Sequence, residues 1–161
     1  MTAGLVVYLG GARSGKSRLA VERARASGRP VVFVATAEPG DGEMIDRIAR
    51  HRAERPPDWT TVEEPLDLAA ALRDAPADAT VIVDCLSLWV ANGGGGDDAV
   101  DTARARAALT IAVSNEVGLG IVPDNALARA YRDDLGRVNA AWVAAADEAY
   151  LVVAGKTLRL A

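Results

Sequence analysis

An eight-residue run near the start of the sequence constrains the fold of this chain more than any other feature. Residues Gly10 to Ser17 read GGARSGKS and fit the pattern G-x-x-x-x-G-K-[ST] in full. In this pattern the glycines permit a tight loop, and the backbone N–H groups of the loop point at phosphate oxygens. A β-rich run, Leu5 to Leu9, precedes the loop, and helical composition follows from Lys16 to Ser27. This context favours a phosphate-binding P-loop over an ordinary glycine-rich turn.

Two side chains of this loop have a direct chemical role. Lys16 is expected to reach the β and γ phosphates of a bound nucleotide, and Ser17 is expected to offer its hydroxyl to Mg²⁺. The helix that follows adds the positive end of its dipole. The loop therefore predicts binding of a nucleoside triphosphate together with Mg²⁺.

The length and composition limit the class of protein. The 161 residues are expected to form one P-loop nucleotide-binding domain over residues 1–161. The formal net charge is −4 with no block of like charge, which argues against nucleic-acid binding. A single cysteine, Cys85, and a start without a basic leader favour a cytoplasmic protein. No apolar run approaches the roughly 20 residues that span a bilayer, so no membrane insertion is expected.

Strand-like and helical segments alternate along the chain, which predicts an α/β fold. The predicted core strands after the first are Val31–Ala35, Thr80–Val83 and Thr110–Ser114, with a brief extended piece at Trp59–Val62. The predicted helices after the first are Asp41–Glu54, Pro65–Arg73 and a long one from an Asp124 cap to about Asp147. Ala149–Ala154 and Thr157–Leu160 predict a closing β-hairpin, which adds an antiparallel edge to a mainly parallel sheet. Gly93–Gly96, followed by two aspartates, predict a mobile surface loop.

An acidic residue follows one of the buried strands. Asp84 comes directly after TVIV at Thr80 to Val83. P-loop enzymes place a carboxylate at such a strand end, where it holds Mg²⁺ directly or through water. A helix cap or a turn is the alternative role, but the P-loop makes the metal-linked role the stronger prediction.

His51 is the only histidine of the chain. On the predicted helix it lies at the margin of the apolar stripe, with Arg47 and Arg55 one turn to either side. These cations would attract phosphate, which makes the imidazole a candidate nucleophile. A solvated surface histidine is the alternative, and the residues taken alone favour that alternative.

The segment after the Thr110–Ser114 strand is a candidate substrate contact. Asn115 and Glu116 stand where ligand-binding residues of open α/β sheets collect. Gly118 and Gly120 would let the backbone approach a ligand closely, although glycines that serve only the turn are equally consistent with the sequence.

The chain resembles the bifunctional adenosylcobinamide kinase / adenosylcobinamide-phosphate guanylyltransferase family of cobalamin biosynthesis. The resemblance extends over the whole chain and is more specific than the P-loop alone. It is carried by GGARSGKS, VATAE, EMIDRIARHRAERPPDW, VDCLSLWV, SNEVGLGIVPDNALAR and LGRVNAAWVAAADEAYLVVAG. The segment between Val90 and Thr110 is shorter and more polar than the family's usual one, so the resemblance supports no helix or subunit contact there.

The resemblance implies a RecA-like, three-layer P-loop fold and a homotrimer. It implies phosphorylation of adenosylcobinamide with ATP or GTP, followed by transfer of GMP from GTP through a guanylylated histidine that His51 matches. His51 and Lys16 are then the catalytic residues, and Ser17 and Asp84 hold Mg²⁺. The implied nucleotide-binding positions are Gly10, Gly11, Ala12, Arg13, Ser14, Gly15, Lys16, Ser17, Ala35, Thr36, Ala37, Arg52, Ala53, Glu54, Arg55, Glu63 and Asp84.

Two other functions compete with this interpretation. In a small-molecule kinase, Lys16 and Asp84 would serve γ-phosphoryl transfer and His51 would have no chemical role. In a nucleotide-gated binding module, the nucleotide would only order loops such as residues 34–42. Turnover of a corrinoid distinguishes the module from the enzymes, and label from the α phosphate of GTP on His51 distinguishes the two enzymes.

Overall fold

A seven-stranded sheet forms the centre of the structure. The structure, a computed structural model, describes residues 4–53 and 55–161. In chain order the elements are β1 (Leu5–Gly10), α1 (Lys16–Ala26), β2 (Val31–Ala35), α2 (Gly42–Ala53), β3 (Thr60–Glu63), α3 (Leu68–Asp74), β4 (Thr80–Asp84), α4 (Leu86–Ala91), α5 (Asp98–Ala105), β5 (Thr110–Asn115), α6 (Ala126–Ala145), β6 (Glu148–Val153) and β7 (Lys156–Arg159). The strand order across the sheet is β3-β2-β4-β5-β1-β6-β7.

The central strands are apolar on both faces because helices cover both faces of the sheet. Val7 of β1 packs in one core cluster with Trp142 of α6. Its neighbour Val6 packs in the other cluster with Ala20 of α1, on the opposite face of the sheet. The two clusters give the three layers of helix, sheet and helix that the P-loop fold predicts.

All strand pairs are parallel except the last, β6 with β7. The carboxyl ends of β1 to β6 therefore meet at one edge of the sheet, where α/β proteins bind their ligands. In the sheet order β5 lies between β1, which leads into the phosphate loop, and β4, which ends at Asp84. The antiparallel β6–β7 pair at the end of the chain confirms the predicted hairpin.

Two helices were not predicted. They are α4, six residues that begin two positions after Asp84, and α5, which begins at Asp98 directly after the glycine-rich segment. Both bury apolar residues against the same layer, since Trp89 and Val100 belong to one core cluster. A segment as short as α4 cannot show a helical period in its sequence, so its helical structure depends on tertiary packing.

The predicted N-cap of the long helix was wrong by one residue, and the helix ends close to the predicted position. Asn125, not Asp124, is the N-cap, and its side-chain oxygen accepts a hydrogen bond from the Ala128 N–H at 2.8 Å. The helix ends at Ala145, because Asp147 turns inward and accepts a hydrogen bond from the Leu5 N–H at 2.8 Å. Glu54, where the sequence predicts the end of α2 and a nucleotide contact, lies outside the described residues.

Candidate nucleotide-binding site

The phosphate loop joins the end of β1 to the start of α1, as its sequence predicts. Gly15 has a φ of 98°, a conformation that favours glycine. A Cβ at Gly10 would lie 2.6 Å from the carbonyl oxygen of Val152, so this position cannot hold a side chain without displacing backbone. The β6–β7 turn supports the loop from behind, where the Gly155 N–H donates to the Ser14 carbonyl at 2.7 Å.

Lys16 is held inside this loop. Its side chain is 9 % exposed, and its Nζ donates to the Gly11 carbonyl at 3.0 Å. Burial lowers the pKa of the Lys16 ammonium, and the negative charge of Asp84 opposes that shift. The ammonium thus stands at the loop where a phosphate chain would enter.

Asp84 is the acidic centre of the site. It ends β4 in register with Ala35 of β2, which in turn is in register with Glu63 of β3. Burial raises the pKa of Asp84, and four surrounding basic side chains partly offset that rise. In decreasing order of their effect these groups are His51, Arg55, Lys16 and Arg47.

One face of α2 closes the cleft opposite the phosphate loop. None of the residues of α2 is fully buried, because the helix packs over the site and not into the core. The α2 residues that line the cleft have the spacing of a single helical face and are Met44, Arg47, Ile48, His51 and Arg52, and Arg55 lines it beyond the end of the helix. His51 is half-buried and shares the cleft with Lys16 and Ser17, so the structure does not leave it as a solvated surface histidine.

Two arginines, Arg52 in the last turn of α2 and Arg55 beyond the helix, are fixed by contacts with β2 and β3. Arg52 forms an ion pair with Glu63. The Arg55 guanidinium lies 3.7 Å from the centre of the Phe33 ring and donates to Thr61 Oγ1 at 3.3 Å. Burial lowers the pKa of Arg55, and the charge of Asp84 opposes this shift. These contacts hold two cations at the outer end of the cleft.

The cleft is lined by half of the site residues that the sequence predicts. Those that line it are Lys16, Ser17, Ala35, Ala37, His51, Arg52, Arg55, Glu63 and Asp84. Gly10 to Gly15 form the loop that leads to Lys16. Ala53 is exposed and absent from the lining, and Thr36 is fully buried, where its Oγ1 donates to the Cys85 carbonyl at 2.7 Å.

Three further residues line the cleft. Cys85 and Leu88 were not predicted from the sequence, whereas Asn115 was predicted as a substrate contact. Cys85 and Leu88 enter the cleft because α4 begins directly after Asp84, and α4 was not predicted. Asn115 ends β5 in register with Gly10. Since β5 lies between β1 and β4, Asn115 stands between the phosphate loop and Asp84.

The oxygen donors of the cleft fit Mg²⁺. Ser17 and Asp84 both line it, and Mg²⁺ in nucleotide sites takes one or two protein oxygens together with phosphate oxygens and water. Among residues 4–53 and 55–161 no group of three or more histidine, cysteine or acidic side chains could hold a metal ion. Within the same ranges no helix is long and apolar enough to cross a membrane.

Comparisons with known proteins agree with the family resemblance that the sequence shows. A family model described as cobinamide kinase / cobinamide phosphate guanyltransferase matches residues 6–160. The bifunctional adenosylcobalamin biosynthesis protein CobP of Pseudomonas aeruginosa is 47 % identical, over 96 % of this chain and 95 % of the relative. The bifunctional adenosylcobalamin biosynthesis protein CobU of Salmonella typhimurium is 39 % identical, over 94 % of this chain and 96 % of the relative.

Solved structures resemble this one in fold. The flagellar accessory protein FlaH from Methanocaldococcus jannaschii superposes with a TM-score of 0.57 at 15 % identity, over 98 % of this chain and 77 % of that chain. The P4 protein of bacteriophage phi6, solved in complex with ADP, has a TM-score of 0.52 at 16 % identity, over 96 % of this chain and 54 % of that chain. These likenesses confirm the predicted P-loop fold class.

Proposed function

The chain belongs to the cobinamide kinase / cobinamide phosphate guanyltransferase family, and we propose that the cleft between its phosphate loop and α2 serves both reactions of that family. The observation that carries the proposal is the position of His51, which lines the same cleft as Lys16, Ser17 and Asp84. A single bound triphosphate could therefore contact the phosphate loop and the imidazole together. The relatives named bifunctional do not favour the kinase-only alternative.

The phosphate loop and the cations of α2 bind the triphosphate of ATP or GTP. Backbone N–H groups of residues 10–15 surround the β phosphate, and Lys16 leaves the Gly11 carbonyl to contact the β and γ phosphates. Arg52, Arg55 and Glu63 contact the nucleoside end of the cleft, together with Ala35 to Ala37. Mg²⁺ held by Ser17 and Asp84 would neutralise phosphate charge, as metal ions do in phosphoryl transfer.

The kinase step phosphorylates adenosylcobinamide. Its aminopropanol hydroxyl oxygen bonds to the γ phosphorus, the bond from that phosphorus to the bridging oxygen breaks, and the nucleoside diphosphate leaves. The hydroxyl proton passes to solvent water in this step. Lys16 stabilises the charge that develops on the γ-phosphate oxygens, which is the usual role of a P-loop lysine.

The guanylyl transfer proceeds in two displacements through His51. A ring nitrogen of His51 bonds to the α phosphorus of GTP, and pyrophosphate leaves with the electron pair of the broken bond. A phosphate oxygen of adenosylcobinamide phosphate then bonds to the same phosphorus and releases the imidazole. The product is adenosylcobinamide-GDP, and His51 returns to its starting state.

Labelling with GTP tests this assignment. We expect GTP labelled at the α phosphate to label the protein on His51 in an acid-labile bond when Mg²⁺ is present and corrinoid is absent. The His51→Ala variant should take no label and form no adenosylcobinamide-GDP, yet should still transfer the γ phosphate to adenosylcobinamide. Arg50→Ala, an exposed neighbour outside the cleft, is the matched control and should label normally. Guanylyl transfer by His51→Ala would contradict the proposal.

The family resemblance also supports a homotrimer in the cytoplasm. Light scattering on the purified chain would measure the mass of the assembly. A mass equal to that of one or two chains would refute the trimer.

A further inference from the structure

The loop between β5 and α6 carries exposed apolar side chains beside the cleft. We call this surface the apolar rim, and it consists of Val117, Leu119, Ile121 and Val122 in the loop together with Leu127 in the first turn of α6. Leu119 is 81 % exposed and Ile121 is 97 % exposed. Clustered apolar side chains at such exposure mark a binding surface more often than single scattered ones do.

Buried hydrogen bonds fix the start of this loop. The Asn115 N–H donates to Ser87 Oγ at 2.7 Å, and Asn139 Nδ2 donates to the Asn115 carbonyl at 3.0 Å. Ser87 and Asn139 are 2 % and 5 % exposed, so water does not compete for these bonds.

The far end of the loop is fixed as well. Arg129 Nη1 donates to the Pro123 carbonyl at 2.9 Å, and the Asn125 side chain caps α6. Both ends of the loop are therefore held by hydrogen bonds, while the rim side chains between them are exposed.

The rim adjoins the reacting end of the cleft. The Glu116 N–H donates to the Gly10 carbonyl at 3.1 Å, which ties the start of the loop to the phosphate loop. Asn115, one residue earlier, lines the cleft itself. In the sheet order β4 separates β5, which precedes the rim, from β2, which precedes α2. The α2 side of the cleft is cationic, and the loop that carries the apolar rim leaves the sheet on the β5 side of the cleft, next to Asn115.

These two sides differ in the ligands that they suit. On the α2 side, Arg47 lines the cleft together with Lys16, and these two cations complement a polyanionic triphosphate. On the other side, one carboxylate oxygen of Glu116 accepts from the Gly118 N–H at 2.6 Å, and residues 117–122 that follow carry no charged side chain. Cobinamide is a corrin macrocycle edged with methyl groups and neutral carboxamides, and it is far larger than a nucleotide phosphate chain.

We propose that the apolar rim binds the corrin macrocycle of cobinamide, so that its aminopropanol arm enters the cleft beside Asn115. This inference rests on the proposed function, because it assigns the acceptor of that function to a surface. The macrocycle stays outside the cleft, and only the arm reaches the phosphorus. Leu119 and Ile121 bury their side chains against it.

Steady-state kinetics of the double variant Leu119→Ser/Ile121→Ser test the proposal. We expect the KM for adenosylcobinamide in the kinase step to rise at least tenfold, with the KM for the nucleotide within twofold of the wild-type value. Labelling of His51 by GTP alone should be unchanged, because that step needs no corrinoid. Leu158→Ser removes an equally apolar, 61 % exposed side chain from β7 and is the matched control, with no change in either KM.

Two results would overturn the inference. One is a corrinoid KM within twofold of wild type in the double variant and in the single variant Ile121→Ser. The other is a change in assembly mass in either variant, measured by light scattering, which would assign the rim to a second copy of the chain. Failure of the wild-type protein to label and to phosphorylate cobinamide would instead refute the proposed function and the inference together.

Discussion

Replacement of Asn139 by leucine should be costly, because this side chain joins α6 to the end of β5 inside the protein. Its Oδ1 accepts from Ser114 Oγ at 2.6 Å, and its Nδ2 donates to the Asn115 carbonyl at 3.0 Å. Leucine has a similar volume but leaves both groups without these partners. Each buried polar group that loses its partner costs about 1–3 kcal/mol, so the free energy of unfolding should fall by about 2–6 kcal/mol. That is a large part of the roughly 5–15 kcal/mol typical of a folded protein.

Urea unfolding at fixed pH would measure this loss as a lower midpoint with an unchanged m-value. Asn125→Ala removes an asparagine that caps α6 at the surface, and this control should cost only about 1 kcal/mol. Adding Ser114→Ala to Asn139→Leu removes one orphaned group, so the double variant should lose less than the sum of the single variants. A loss below about 1 kcal/mol for Asn139→Leu, or strict additivity in the double variant, would refute the reasoning.

Three further perturbations have defined outcomes. Burial raises the pKa of Asp84, so the folded protein retains a proton that the unfolded chain releases, and stability falls as pH rises from about 3.9 through the raised pKa. Asp84→Asn should therefore match wild type in urea unfolding at low pH, gain stability over it at higher pH, and lose activity. The Arg106 guanidinium donates to four carbonyl oxygens at 2.7–3.2 Å, which a lysine ammonium cannot reproduce. Arg106→Lys should therefore lower the free energy of unfolding by about 2 kcal/mol in urea. Arg104 is exposed, and Arg104→Lys should lower it by less than about 0.5 kcal/mol. Gly10→Ala, whose Cβ would meet backbone, should weaken nucleotide binding at least about tenfold by calorimetry, while Gly11→Ala, with open space around it, should bind within about threefold of wild type.

The elements with strong local signals could be predicted from the sequence. The phosphate loop has a complete motif, and the buried strands are continuous apolar runs, so β1, β2, β4 and β5 lie where they were expected. The one apolar stripe of residues 41–54 correctly indicated α2. This stripe does not face the core, however, because α2 packs over the cleft and none of its residues is fully buried.

The missed features depend on contacts between distant segments. The sequence LSLWVA of α4 shows no helical period in six residues, yet the indole of Trp89 donates to the Leu66 carbonyl at 2.7 Å and fixes this segment against the loop before α3. Asp124 and Asn125 are equally good caps by residue type, and only the path of the chain selects the second. Likewise, no spacing in the sequence shows that Asn115 stands between the phosphate loop and Asp84, since that follows from the strand order.

The position of β1 in the sheet affects how the protein can fold. This strand is the earliest of the seven in the chain, but its neighbours are β5 and β6, and the Leu5 N–H finds its partner Asp147 142 residues away. Strand pairs between segments so far apart in the chain form late in folding, because closing the long loop between them costs conformational entropy. A ribosome therefore releases the phosphate-loop sequence long before the strands that shape it have been synthesised. A nucleotide that binds only the completed loop will then raise the stability of the finished fold without guiding its early steps.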